Sequence, residues 1–158
     1  MDVQDARSST ARRGYRLLLP DHHRRLDAQC HALVARADAG EHELGPAWRR
    51  FEAELLEHFA AEEQHVLPSY AQHAPEDAGR LRDEHARIRA LIAPIGLDIE
   101  LRRPCAALLR VVSQALAAHA AREDALLYPW AQHHLPDDSQ RSLFERLVAL
   151  WFDRPMTA

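Results

Sequence analysis

Two His-x-x-x-Glu pairs, His58 with Glu62 and His119 with Glu123, and two further histidines, His23 and His85, are the residues of this chain whose types and spacing can do chemistry. Residues four apart on a helix stand one turn apart on the same face, so each pair can direct an imidazole nitrogen and a carboxylate to one side. The six positions also fall in an internal repeat, at an offset of about sixty residues. Asp21-His22-His23-Arg24-Arg25-Leu26 aligns with Asp83-Glu84-His85-Ala86-Arg87-Ile88. His58 and Glu62, followed by Val66-Leu67-Pro68, align with His119 and Glu123, followed by Leu127-Tyr128-Pro129. The alignment sets His23 rather than His22 opposite His85, and only His23 falls on the apolar seam of its helix, so His23 is the expected site residue.

Four imidazoles and two carboxylates converging in a helical interior are very unfavourable as free charges, because burying an unpaired ion costs several kcal/mol. A metal removes that cost. The alternative, a layer of His–Glu hydrogen bonds without a metal, leaves many buried titratable groups with no purpose. Imidazole and carboxylate together suit iron, manganese or zinc, and two carboxylates from different helices can bridge a pair of ions. Six ligands (His23, His58, Glu62, His85, His119 and Glu123) leave positions open on two six-coordinate ions. Those positions would take an oxo or hydroxo bridge and a small ligand such as dioxygen, nitric oxide or peroxide. No catalytic residue beyond the ligands stands out.

The elements that must position these groups are helices. Leu19, His23, Leu26, Cys30, Leu33 and Ala37 recur at steps of three and four, which predicts helix 1 from about 20 to 38, opened by Pro20. Trp48, Phe51, Leu55, His58, Glu62 and Val66 predict helix 2 from about 46 to 67, ended by Pro68. Antiparallel packing of these two helices, at 1.5 Å per residue, brings His23 and His58 to one level and makes one end of the bundle polar. Pro75, Glu76 and Asp77 open helix 3, with Leu81, His85, Ile88 and Ile92 inward and a disruption at Pro94 and Gly96. Pro104 opens helix 4, with Leu108, Val112, Ala115, His119 and Glu123 inward and an end near Pro129. A last amphipathic helix, about 137–152, offers Leu143, Leu147, Leu150 and Trp151 as a cap.

The expected architecture is therefore all-α, a single domain over 1–158: an N-terminal arm at 1–19, a four-helix bundle at 20–130 and a capping helix. The 20 basic and 24 acidic residues are interspersed, giving a net charge of −4, with no basic stripe for nucleic acid. No apolar run reaches the ~18 residues of a membrane span, and the polar first ten residues do not resemble an export signal, so a cytoplasmic protein is expected. Cys30 and Cys105 read as reduced thiols, Cys30 as a small buried core residue. His22, His31, His42, His65, His73, His133 and His134 read as surface residues, with His22 and His65 close enough to compete for the site. Tyr70 and Tyr128, which follow the ligand turns, read first as packing residues and second as hydrogen-bond donors behind the ligands, and Trp48, Trp130 and Trp151 read as core or end caps.

A histidine early in helix 1, His58-x-x-x-Glu62-Glu63 running to Pro68, a lone histidine early in helix 3 and His119-x-x-x-Glu123 running to Pro129 resemble the hemerythrin-like, HHE cation-binding family over roughly residues 19–130. The resemblance implies an up-down four-helix bundle with a non-heme di-iron centre, ligated by His23, His58, Glu62, His85, His119 and Glu123. Manganese or zinc is the lesser expectation. Arg89 stands one turn after His85 where oxygen carriers place another histidine, and Glu123 stands where they have aspartate. The chain is thus more similar to the four-histidine, two-glutamate members, associated with nitric oxide or oxidative stress, iron–sulfur cluster repair, and iron or oxygen sensing. Repair members carry an N-terminal domain with paired cysteines, and residues 1–19 contain none. The functions implied are binding or sensing of a small ligand, turnover of peroxide or nitric oxide, or a regulatory bundle stabilised by its metal.

Overall fold

Apolar residues at steps of three and four bury best along helices, and helices are what form. The computed structural model describes the backbone of residues 3–152 and the side chains of residues 21–149. The elements are α1 (Val3–Asp38), α2 (Gly45–His65), α3 (Leu67–His73), α4 (Pro75–Glu100), α5 (Ala106–Arg122), a π-helical turn (Glu123–Leu127), α6 (Tyr128–His134) and α7 (Asp137–Phe152). No strand occurs among the described residues.

The prolines mark boundaries less sharply than the sequence suggests. Helix 1 does not start at Pro20. It starts at Val3, because residues 3–19 carry alanine, arginine and leucine at many positions and Pro20 removes only one backbone hydrogen bond from a long helix. The packing expected of the 1–19 arm lies outside the described side chains. Pro68 and Pro129 each sit in the first turn of a following helix, α3 and α6, rather than ending the chain of helices. Nor do Pro94 and Gly96 disrupt α4, which continues to Glu100. Pro94 and Ala90, whose carbonyl loses its partner one turn back, are both exposed, while Ile92, Ile95 and Ile99 stay buried. A Cβ at Gly96 would come within 3.2 Å of the Trp48 indole nitrogen, so glycine is what lets α4 approach α2 this closely.

Helix α1 packs on α2 and α5, and α4 packs on the same two helices. Helix α7 lies across α1 and α2, and α3 lies on α4. The apolar interior is divided into two packs. One holds Leu26, Cys30, Phe51, Leu55, Phe59, Ile88 and Leu116. The other holds Val66, Leu67, Leu81, Leu127, Leu143 and Leu147. The expected cap is seen at Leu143 and Leu147, whereas the side chains of Leu150 and Trp151 lie outside the described residues. The polar layer therefore sits between two apolar packs and not at an open end. Among the described residues, no helix is long and apolar enough to cross a membrane.

Candidate metal centre

Each of the four central helices brings ligand-type atoms to the boundary between the two packs. α1 supplies His23, α2 supplies His58 and Glu62, α4 supplies His85, and α5 with the π turn supplies His119 and Glu123. All six side chains are buried. They form two overlapping groups whose donor atoms lie within 4.8 Å of one another: His23, His58, Glu62 and Glu123, and Glu62, His85, His119 and Glu123. Both glutamates belong to both groups.

The distances show how. His23 and His58 face each other through Nε2 at 3.0 Å, and His85 and His119 do so at 3.1 Å. Glu62 sets Oε1 3.4 Å from His58 Nε2 and Oε2 3.4 Å from His85 Nε2. Glu123 sets Oε2 3.1 Å from His23 Nε2 and Oε1 3.1 Å from His119 Nε2. Each carboxylate thus turns one oxygen to either histidine pair, as a bridging carboxylate must. Glu62 Oε2 and Glu123 Oε1 are buried without a hydrogen bond. Buried carboxylate oxygens left orphaned among imidazole nitrogens fit a cation as their missing partner.

Electrostatics in the metal-free fold agree, with protons standing where cations would. Burial alone would depress the His23 imidazole, but the Asp124 and Glu123 carboxylates outweigh it and push it up to about 10. Burial is likewise overcome at His85, raised to about 10 by Glu123 and Glu62, and at His119, raised by Glu123. His58 is driven the other way, by burial and by its cationic neighbour His23. Glu62 is raised by burial and by the Glu123 charge, whereas at Glu123 the neighbouring His119, His23 and His85 imidazoles overcome burial and hold the carboxyl well below its ordinary range.

The outer nitrogen of each ring has its own neighbour. His85 Nδ1 donates to Glu63 Oε1 at 2.9 Å, and Arg89 clamps Glu63 at 2.7 and 3.0 Å. His119 Nδ1 donates to Glu84 Oε2 at 2.9 Å, and Arg122 holds Glu84 at 2.8 Å. His58 Nδ1 meets His22 Nδ1 at 3.0 Å. His23 Nδ1 has only Asp124 Oδ1, at 3.6 Å. At His85 and His119 the carboxylate contact fixes the tautomer that points Nε2 inward. His22 is consequently not a surface residue: it is 1% exposed, with its imidazole pulled down to about 4 by burial. Adjacent residues on a helix project about 100° apart, so a position beside the seam can face the neighbouring helix rather than water.

Tyr128 also does more than pack. Its hydroxyl donates to Glu62 Oε1 at 2.5 Å and lies 2.9 Å from His23 Nε2 and 3.2 Å from Glu123 Oε2. The π turn over Glu123–Leu127 places it there, because one extra residue in the turn carries position 128 round to the face that holds Glu123. Tyr70, by contrast, packs with Trp130 at 5.1 Å between ring centroids. Glu63, Glu84, Arg89, Arg122 and Asp124 were missed as site residues, while His22 was ranked first as a surface residue and Tyr128 first as a packing residue. The repeat carried a signal for four positions, since His22 aligns with Glu84 and Asp124 with Glu63.

A cavity of about 320 Å³ reaches His23, His58 and His119 between α1 and α5. Leu26, Leu55, Phe59 and Leu116 line it, with Arg24, Asp27 and Asp124 towards its mouth. No curated protein and no solved structure matches the chain. The helical scaffold, the paired His–Glu groups and a family-model match over residues 17–131 agree, and the chain belongs to the family described as the Hemerythrin HHE cation binding domain.

Proposed function

We propose that His23, His58, Glu62, His85, His119 and Glu123 hold two iron ions, with Glu62 and Glu123 as bridges, and that the protein binds or senses dioxygen, nitric oxide or peroxide there. The observation that carries this reading is the sharing of both glutamates by two histidine pairs, one oxygen to each. Two irons would supply paired redox centres with positions open to a small ligand. The chain's own residues do the rest. The carboxylates would fix the spacing, Glu63 and Glu84 fix the tautomers of His85 and His119, and the Tyr128 hydroxyl, which donates to Glu62 Oε1, stands 2.9 Å from His23 Nε2 at the first histidine pair. Apolar walls beside the site favour small neutral molecules over hydrated ions.

The cavity also favours ligand exchange over a metal used only for folding, which would need no access. Buried free thiols at Cys30 and Cys105 fit a reducing compartment such as the cytoplasm. Elemental analysis of the purified chain beside a His58→Ala/His119→Ala variant tests the proposal. About two irons per chain, lost in the variant, is the expected result. Zinc alone, or equal metal in both proteins, would sink the di-iron reading.

A further inference from the structure

The six ligand-type residues obey the internal repeat, but the atoms around them do not. By the alignment His58 and His119 are equivalent, as are His23 and His85, so the outer partners should be equivalent too. They differ at two places. Glu84, which accepts from His119 at 2.9 Å, has His22 as its counterpart beside His58. Glu63, which accepts from His85 at 2.9 Å, has the shorter Asp124 as its counterpart, 3.6 Å from His23. A carboxylate behind an imidazole raises its basicity and strengthens the ligand it makes. His85 and His119 both have one, anchored by Arg89 and Arg122, and His58 has only an imidazole.

A third break of the repeat acts in the same direction. Leu67 is the counterpart of Tyr128, whose hydroxyl already engages His23 Nε2, Glu62 Oε1 and Glu123 Oε2, three donors of the first pair's position. An ion arriving there has to rearrange those contacts. On the other side, Glu62 Oε2 and Glu123 Oε1 are free of hydrogen bonds and face His85 and His119.

We propose that the two positions are unequal and fill in order, His85–His119 first and His23–His58 second, so that the chain has a distinct one-ion state when metal is limiting. This rests on the dinuclear reading above, and the test separates the two. The full chain, freed of metal by a chelator, is titrated with cobalt(II), followed by its visible absorption and by calorimetry. Two steps at least about tenfold apart are expected. Glu84→Gln and Glu63→Gln, both at half-buried positions, weaken the first step by roughly 10–100-fold. His22→Gln spares the first step and changes the second, and Asp124→Glu, which lengthens the short partner, tightens the second and narrows the gap. A merely structural role for these residues would move both steps alike. One unresolved two-ion step in the unaltered chain, or Glu84→Gln acting on the second step, overturns the proposal. No cobalt bound at all would defeat the dinuclear reading and this inference with it.

Discussion

Glu62 and Glu123 are the residues on which both halves of the proposed centre would depend, because each turns one oxygen to each histidine pair. Glu123→Ala should therefore strip metal from both positions. His23→Ala should lower the iron content to about one per chain, since it removes a donor from one position only. Equal losses in the two variants, by elemental analysis, would contradict the shared-carboxylate geometry. Protons give a second prediction. In the metal-free fold His23 and His85 are held at about 10 against an ordinary 6.5, so they are protonated where the unfolded chain's histidines are not. A raised histidine contributes stability that is complete below 6.5 and is lost as pH rises through about 10. Metal must displace the same protons, so its apparent affinity should rise with pH across that window, with proton release on loading. Titration in buffers of different ionisation enthalpy measures this, and no release near pH 8 would contradict it.

The π turn and α7 matter as elements. The π turn brings Tyr128 to the glutamates, and Tyr128→Phe removes three hydroxyl contacts without disturbing the ring's packing. The expected outcome is retained metal with an altered visible spectrum and altered small-ligand affinity. Unchanged spectra would return Tyr128 to a packing role. Helix α7 holds none of the six residues and covers the second apolar pack through Leu143 and Leu147, both fully buried. Leu143→Ala should cost about 2–5 kcal/mol in denaturant unfolding, with metal content per folded chain unchanged. Loss of metal in the folded variant would mean that α7 shapes the site directly. The misread element ends share one cause. A proline removes one hydrogen bond, and whether the helix survives depends on what the freed carbonyl meets. At Pro94 that carbonyl belongs to Ala90, and both residues are exposed.

For the whole molecule, a buried layer of imidazoles and carboxylates between two apolar packs is costly when empty and stabilising when filled. Metal at a hundred times its dissociation constant should add about 2.7 kcal/mol per independent site, raising the melting temperature over that of the chelated protein. A melting temperature indifferent to metal would argue against binding at this layer. The all-helical class and most of the inward faces were legible in the sequence, because periodicity along one helix fixes which side chains share a face, although in α5 the buried leucines are Leu109 and Leu116, each one position past the expected Leu108 and Ala115. The outer partners were only half legible. Glu63, Glu84 and Asp124 stand beside ligand residues in the chain, yet adjacency does not say which ring they reach. His22 was misread for the same reason. Its burial depends on how α1 is rotated against α2, and the place of Tyr128 depends on a single extra residue in a turn. Residue types and spacing thus determined which groups could hold metal. The rotation and approach of the helices decided which atom meets which, since contacts between residues far apart in the chain leave no local pattern.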